Sequence, residues 1–178
     1  MNLLSYLASF LFPKNIDTQI PAPKLSLTAQ DGSWKRSIDY LDNRNIILLG
    51  CKSIHQSASI EWMKAISNKQ FDQLDCAVFL LTGKSTEILR QYKQQNQLSF
   101  DLLYDPLALE SRKFGMAGRR PKVRDSVVLI NKKGRILASH CGQVPANDIF
   151  SQASTLFGFD VPPPEQEHAP TNQVRMMK

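Results

Sequence analysis

Asn45-Ile46-Ile47-Leu48-Leu49-Gly50 is an unbroken apolar run closed by a glycine. It is too short for a helix and has no polar alternation, so it reads as a strand buried on both faces, as in the interior of a parallel sheet. The period then changes. From Ser57 to Lys69 the apolar residues Ile60, Met63 and Ile66 recur on one helical face, with Ser57 or Ser59 as candidate N-caps. A buried strand feeding a helix leaves a mouth at the strand's C-terminal end, where open α/β sheets place their sites. The positive end of the helix points at the same spot.

Outward from that unit the pattern repeats. Asp75 to Thr82, with Cys76-Ala-Val-Phe-Leu-Leu81, reads as a second buried strand. Ser85 to Gln95 reads as a helix with Ile88, Leu89 and Tyr92 inward. Leu98 to Leu103 reads as an extended piece ended by Asp105-Pro106, and Leu107 to Phe114 as a helix closed by Gly115. Gly118 to Lys122 is a basic loop. Arg124 to Asn131 and Arg135 to His140 form a hairpin around Lys132-Lys133-Gly134, and Asn147 to Phe157 is a last helix. Upstream, Leu25 and Leu27 alternate as a short strand, Gln30 to Ser33 is a turn, and Trp34 to Leu41 leads into a helical turn. The order βαβα, hairpin, α is that of the thioredoxin fold, an α/β class with a central mixed sheet flanked by helices.

Three segments follow. Residues 1–13 read as an apolar amphipathic helix, 14–160 as the domain, and 161–178 as a disordered Pro-rich tail. The first segment, with Leu3, Leu4, Leu7, Phe10 and Leu11 at helical spacing, is too short to span a bilayer and lacks a signal-peptide cleavage pattern. It is expected to pack on the domain or on a partner subunit, or to lie on a membrane surface.

The chain has 178 residues, 42% of them hydrophobic, and a net charge of +6, which suits one folded domain with extensions. Arg112, Lys113, Arg119, Arg120, Lys122, Arg124, Lys132, Lys133 and Arg135 cluster in turn-rich sequence. They read as a solvated rim or as a surface for an anionic partner. They lack the repeated interleaved aromatics of a single-strand binder, so no specific nucleic acid is expected. The three cysteines, Cys51, Cys76 and Cys141, form no CxxC and no zinc spacing. A sparse, odd count points to a reducing, cytoplasmic setting, with membrane-peripheral placement as the variant that residues 1–13 would allow. Neither a cofactor nor a metal is expected.

Four segments in order resemble the peroxiredoxin family, also described as alkyl hydroperoxide reductase C and thiol-specific antioxidant. They are Pro21-Ala-Pro-Lys-Leu-Ser-Leu with Asp31-Gly and Tyr40-Leu, then Asn45-Ile-Ile-Leu-Leu, then Leu98-Ser-Phe-Asp-Leu-Leu-Tyr-Asp105 with Phe114-Gly115, and Arg124-Asp-Ser-Val-Val-Leu-Ile-Asn-Lys-Lys-Gly134. The family's active loop, Pro-x-x-x-Thr-x-x-Cys-x-x-Glu, falls without a gap on Cys51-Lys-Ser-Ile-His55-Gln-Ser-Ala58-Ser-Ile-Glu61. Pro becomes Cys51, Thr becomes His55, the peroxide-reducing Cys becomes Ala58, and Glu61 is kept. Arg124 falls on an arginine that in the family orients peroxide and stabilises the thiolate.

The resemblance implies a redoxin scaffold of a thiol peroxidase family, and Ala58 removes the sulfur its chemistry needs. The expected function is therefore a binding or assembly module without standard peroxidase activity, with a protein partner or a homo-oligomer formed through the amino-terminal segment. One alternative is thiol redox chemistry through a relocated Cys51 or Cys141. The degenerate site would then comprise Cys51, His55 and Arg124 around Ala58 and Glu61. A peripheral membrane protein is the other. Against these stand plainer readings: Cys51 as the apolar end of a strand, Cys141 after His140 as a strand terminus, Cys76 as inert core, and Arg124 paired with Glu61.

Overall fold

The computed structural model describes residues 20–118 and 120–159. The amino-terminal apolar segment 1–13 and the Pro-rich tail 161–178 lie outside the described residues. The chain runs through β1 (Ile20–Pro21), β2 (Ser26–Ala29), β3 (Trp34–Arg36) and β4 (Asn45–Gly50) to α1 (Ser57–Ser67). There follow β5 (Cys76–Thr82), α2 (Thr86–Asn96), β6 (Asp101–Tyr104) and α3 (Leu109–Lys113). The hairpin β7 (Ser126–Ile130) and β8 (Arg135–Cys141) leads into α4 (Ala146–Phe157).

Among the described residues the strands form one eight-stranded sheet in the order β1-β8-β7-β4-β5-β6-β2-β3. β4 pairs parallel with β5, and β5 parallel with β6, whereas β7 runs antiparallel to β4 with Leu48 opposite Val128. This is the mixed sheet expected of a thioredoxin-like fold. All of β4 is buried. Its side chains alternate between two cores, as a strand period of two requires. Ile47 and Leu49 join Met63, Ile66, Leu80, Leu89 and Leu102 on one face. Ile46 and Leu48 join Phe79, Leu81, Leu103, Phe114 and Met116 on the other. Each fully buried aliphatic side chain contributes about 1.5–3 kcal/mol, so the central strand anchors both layers.

Several expectations are corrected. α1 is capped by Gln56 in extended conformation, with no side-chain cap bond; neither Ser57 nor Ser59 caps it. Ser59 is buried in the first turn and accepts a hydrogen bond from Gln143 instead. Ile88 is 41% exposed, because the buried stripe of α2 runs through Leu89 and Tyr92 and leaves Ile88 at its outer edge. The third helix starts at Leu109, two residues later than expected. The buried Asp105 carboxylate accepts the amides of Leu109, Glu110 and Ser111 there, and Ala108 turns left-handed (φ 51°) ahead of them. At the hairpin, Gly134 adopts φ +68°, a conformation that favours glycine. No helix among the described residues is long and apolar enough to cross a membrane.

Candidate functional site

β4, β5 and β6 run in one direction, so their C-terminal ends at Gly50, Thr82 and Tyr104 form one rim. β7 is antiparallel and starts at this rim, and β8 ends there. The loop after β4, the start of β7 and the turn after β8 therefore converge. Gly50 permits the closest approach: a Cβ there would stand 2.3 Å from the Arg124 carbonyl oxygen and 2.4 Å from Ser126 Oγ.

A polar network locks the convergence. The Lys52 amide donates to Asp125 Oδ1 at 2.8 Å, and the Gly142 amide donates to the Asp125 carbonyl at 2.7 Å. Gln143 Nε2 donates to Asp125 Oδ2 at 3.3 Å and to Ser59 Oγ at 3.0 Å. Trp62 Nε1 donates to the Val144 carbonyl at 2.6 Å. The strap Gly142–Val144 is thereby held across the first turns of α1.

Ala58 lies exposed in that first turn. The first amides of any helix lack intrahelical acceptors and carry its positive end, so a thiol here would have a lowered pKa. A methyl group makes no use of that field. Glu61 is exposed one turn on, and the pairing with Arg124 expected of a plain structural role is absent among the described residues. Arg124 instead sends Nη2 to the carbonyls of Gly115 and Ala117, each at 3.2 Å, and braces the loop between α3 and β7.

Cys51 sits at the end of β4 but is 1% exposed. Burial pushes its thiol up to about 11, and the nearby charge, the Asp125 carboxylate, pushes the same way, outweighing hydrogen bonds to Ser53 and Ser59. At neutral pH the group is therefore held as the thiol. Cys76 lies at the opposite end of the sheet, at the start of β5; burial first, aided by Asp75 and Asp72, pushes its thiol up to about 12. Cys141 is the exposed thiol, at the end of β8.

His55 is exposed and meets the Tyr92 ring edge-on, centroids 6.0 Å apart. Tyr92 is buried, its hydroxyl has no hydrogen-bond partner among the described residues, and burial followed by the Cys51 charge pushes it up to about 12. The structure thus gathers Cys51, Ser59, Asp125 and Gln143 into one cluster, with His55 on Tyr92 beside it, and leaves Cys76 remote. The sequence marks Ser59 only as a candidate cap and Tyr92 only as an inward helix residue, and it does not mark Asp125 or Gln143 as site residues. The available signal was weak: Asp125 directly follows Arg124. Among the described residues no group of three His, Cys, Asp or Glu could hold a metal ion.

The sequence matches the model of the AhpC/TSA family over residues 18–139. No curated protein matches it. Solved structures with the same fold include the peroxidoxin BcpB from Mycobacterium tuberculosis, with TM-score 0.70 at 13% identity, covering 81% of this chain and 97% of that one. PrxQ from Xylella fastidiosa gives 0.65 at 18% identity, covering 74% and 88%. The reduced 2-Cys peroxiredoxin from Plasmodium vivax gives 0.69 at 13%, covering 78% and 95%.

Proposed function

The chain belongs to the AhpC/TSA family, and from that premise we propose that it is a peroxiredoxin-like member that has lost the peroxide-reducing step and keeps its mouth as a binding surface. The step it lacks is well defined. A thiolate attacks the O–O bond of a peroxide; the S–O bond forms, the O–O bond breaks, sulfur is oxidised to sulfenic acid and alkoxide or hydroxide leaves. The observation that carries the proposal is the first turn of α1, where Ala58 offers only a methyl group to the helix's positive end. Cys51, the nearest alternative at the mouth, is buried, flanked by a carboxylate and held protonated.

Intact-mass analysis of the reduced protein under excess hydrogen peroxide tests this reading. Oxidation at the rate of an ordinary cysteine supports it. Oxidation within milliseconds to seconds would overturn it. A second reading, thiol redox chemistry through Cys141, has one observation in its favour: that thiol is exposed at the mouth end of β8. Fast oxidation abolished by Cys141→Ser would favour it. The membrane and self-association readings of residues 1–13 are tested by flotation with anionic vesicles and by sedimentation, comparing the native chain with a Leu3→Glu/Leu7→Glu variant.

A further inference from the structure

The segment between β6 and β7 presents a surface that the network at the mouth does not use. Its turn Pro106–Leu109 is seated by Ala108, fully buried against Ala117 and Val123. Ala117 and Val123 in turn bridge the two ends of the basic loop. This seating puts Leu107 and Leu109, 57% and 56% exposed, on the same surface as that loop. The surface adjoins the mouth, because Met116 lies against Gly50 at the end of β4.

Arg112 lies three residues on from Leu109 in α3, Arg120 and Lys122 lie on the loop, and Arg124 at the loop's base holds the Gly115 and Ala117 carbonyls; all four are exposed and none is in an ion pair among the described residues. The carboxylates of the segment do not neutralise them. Asp105 is buried on the amides of the following turn, Glu110 is taken by Lys113, and Asp125 accepts from the Lys52 amide and from Gln143. Four exposed cations beside two exposed leucines make this surface a cationic patch with apolar anchors.

We propose that the patch docks an acidic polypeptide segment, whose carboxylates meet Arg112, Arg120, Lys122 and Arg124 and whose apolar side chains meet Leu107 and Leu109. This rests on the binding reading of the mouth given above. Charge complementarity selects an acidic occupant. Three of the four cations are arginine, whose planar fork suits carboxylates, and arginine with apolar anchors is the composition of protein interfaces, where lysine is depleted. A second copy docked through the same patch would set these cations against themselves. A nucleic-acid strand would need stacking aromatics, and the one aromatic of the segment, Phe114, is 4% exposed.

The test titrates the isotope-labelled full-length protein with a disordered peptide of about twelve residues, acidic except for two leucines. A matched peptide carries asparagine and glutamine instead of the acids. Expected are amide shifts concentrated in residues 106–124 and binding weakened severalfold between about 50 mM and about 300 mM salt. Arg120→Ala/Lys122→Ala and Leu107→Ser/Leu109→Ser should each weaken binding about fivefold with unchanged melting temperature, as expected of exposed residues at an interface. Equal binding of the neutral peptide, shifts elsewhere, or binding to anionic vesicles with no response to the acidic peptide would each overturn the proposal. Peroxide oxidation of the same samples separates this result from the parent reading. Fast oxidation with normal peptide binding defeats the loss of catalysis and leaves the docking surface standing, whereas slow oxidation without peptide binding does the reverse.

Discussion

The Lys52 amide donates to the Asp125 carboxylate at 2.8 Å, tying the loop that leaves β4 to the residue just before β7. Through Gln143 the same carboxylate reaches Ser59 in the first turn of α1. One side chain therefore holds three segments of the mouth in register.

Asp125→Ala should cost about 1–3 kcal/mol, because the Lys52 amide and the Gln143 side chain lose their acceptor. Denaturant unfolding measures the loss, and hydrogen exchange should show residues 52–56 opening before the sheet. The substitution also removes a negative charge that raises the Cys51 thiol, so Cys51 should alkylate faster at fixed pH.

Ala58→Cys places an exposed thiol in the first turn of α1. The helix's positive end should hold its pKa below the ordinary value of about 8.5. The pH profile of its alkylation by iodoacetamide gives that value directly, with Cys51 and Cys76 silent in the same window. A pKa at or above the ordinary value would show that the field at the mouth does not favour an anion.

Gly50→Ala should destabilise the domain by about 3 kcal/mol or more, since the new Cβ meets the Arg124 carbonyl at 2.3 Å and that backbone cannot yield without shifting β7. Thermal unfolding checks it.

Acid stability should report Asp101. Burial pushes its carboxyl upward, but hydrogen bonds from Gln30, Lys35 and Lys93 outweigh that and hold it at about 2. A carboxyl depressed in the folded state stabilises fully above its ordinary value and loses that contribution as pH falls through the folded one. Between about pH 4 and pH 2 the protein should lose about 2 kcal/mol from this group. Asp101→Asn should flatten the unfolding free energy across that window.

Much of this architecture is legible in the sequence where burial alone decides it. The apolar runs Asn45–Gly50 and Cys76–Leu81 admit no other reading, and Gly134 marks its hairpin. Legibility ends where distant polar groups decide. The start of α3 depends on the Asp105 carboxylate capping amides four to six residues on. The network at the mouth joins Lys52 to Asp125 and Ser59 to Gln143, separated by 73 and 84 residues. Such pairings leave no periodic trace. Cys51 shows the same limit. Its position at a strand end is plain, whereas its burial and its carboxylate neighbour emerge only when β7 folds beside β4.

Loss of peroxide reduction with the sulfur at the mouth, as proposed above, is open to direct test. The most direct measurement is the rate at which hydrogen peroxide oxidises the reduced native protein, followed by intact mass and by the identity of the oxidised residue. Slow, ordinary-thiol oxidation led by the exposed Cys141, with Cys51 and Cys76 still reduced, is expected. Rapid sulfenic acid formation at Cys51 would contradict it, and would mean that the buried thiol is the working nucleophile of a rearranged site.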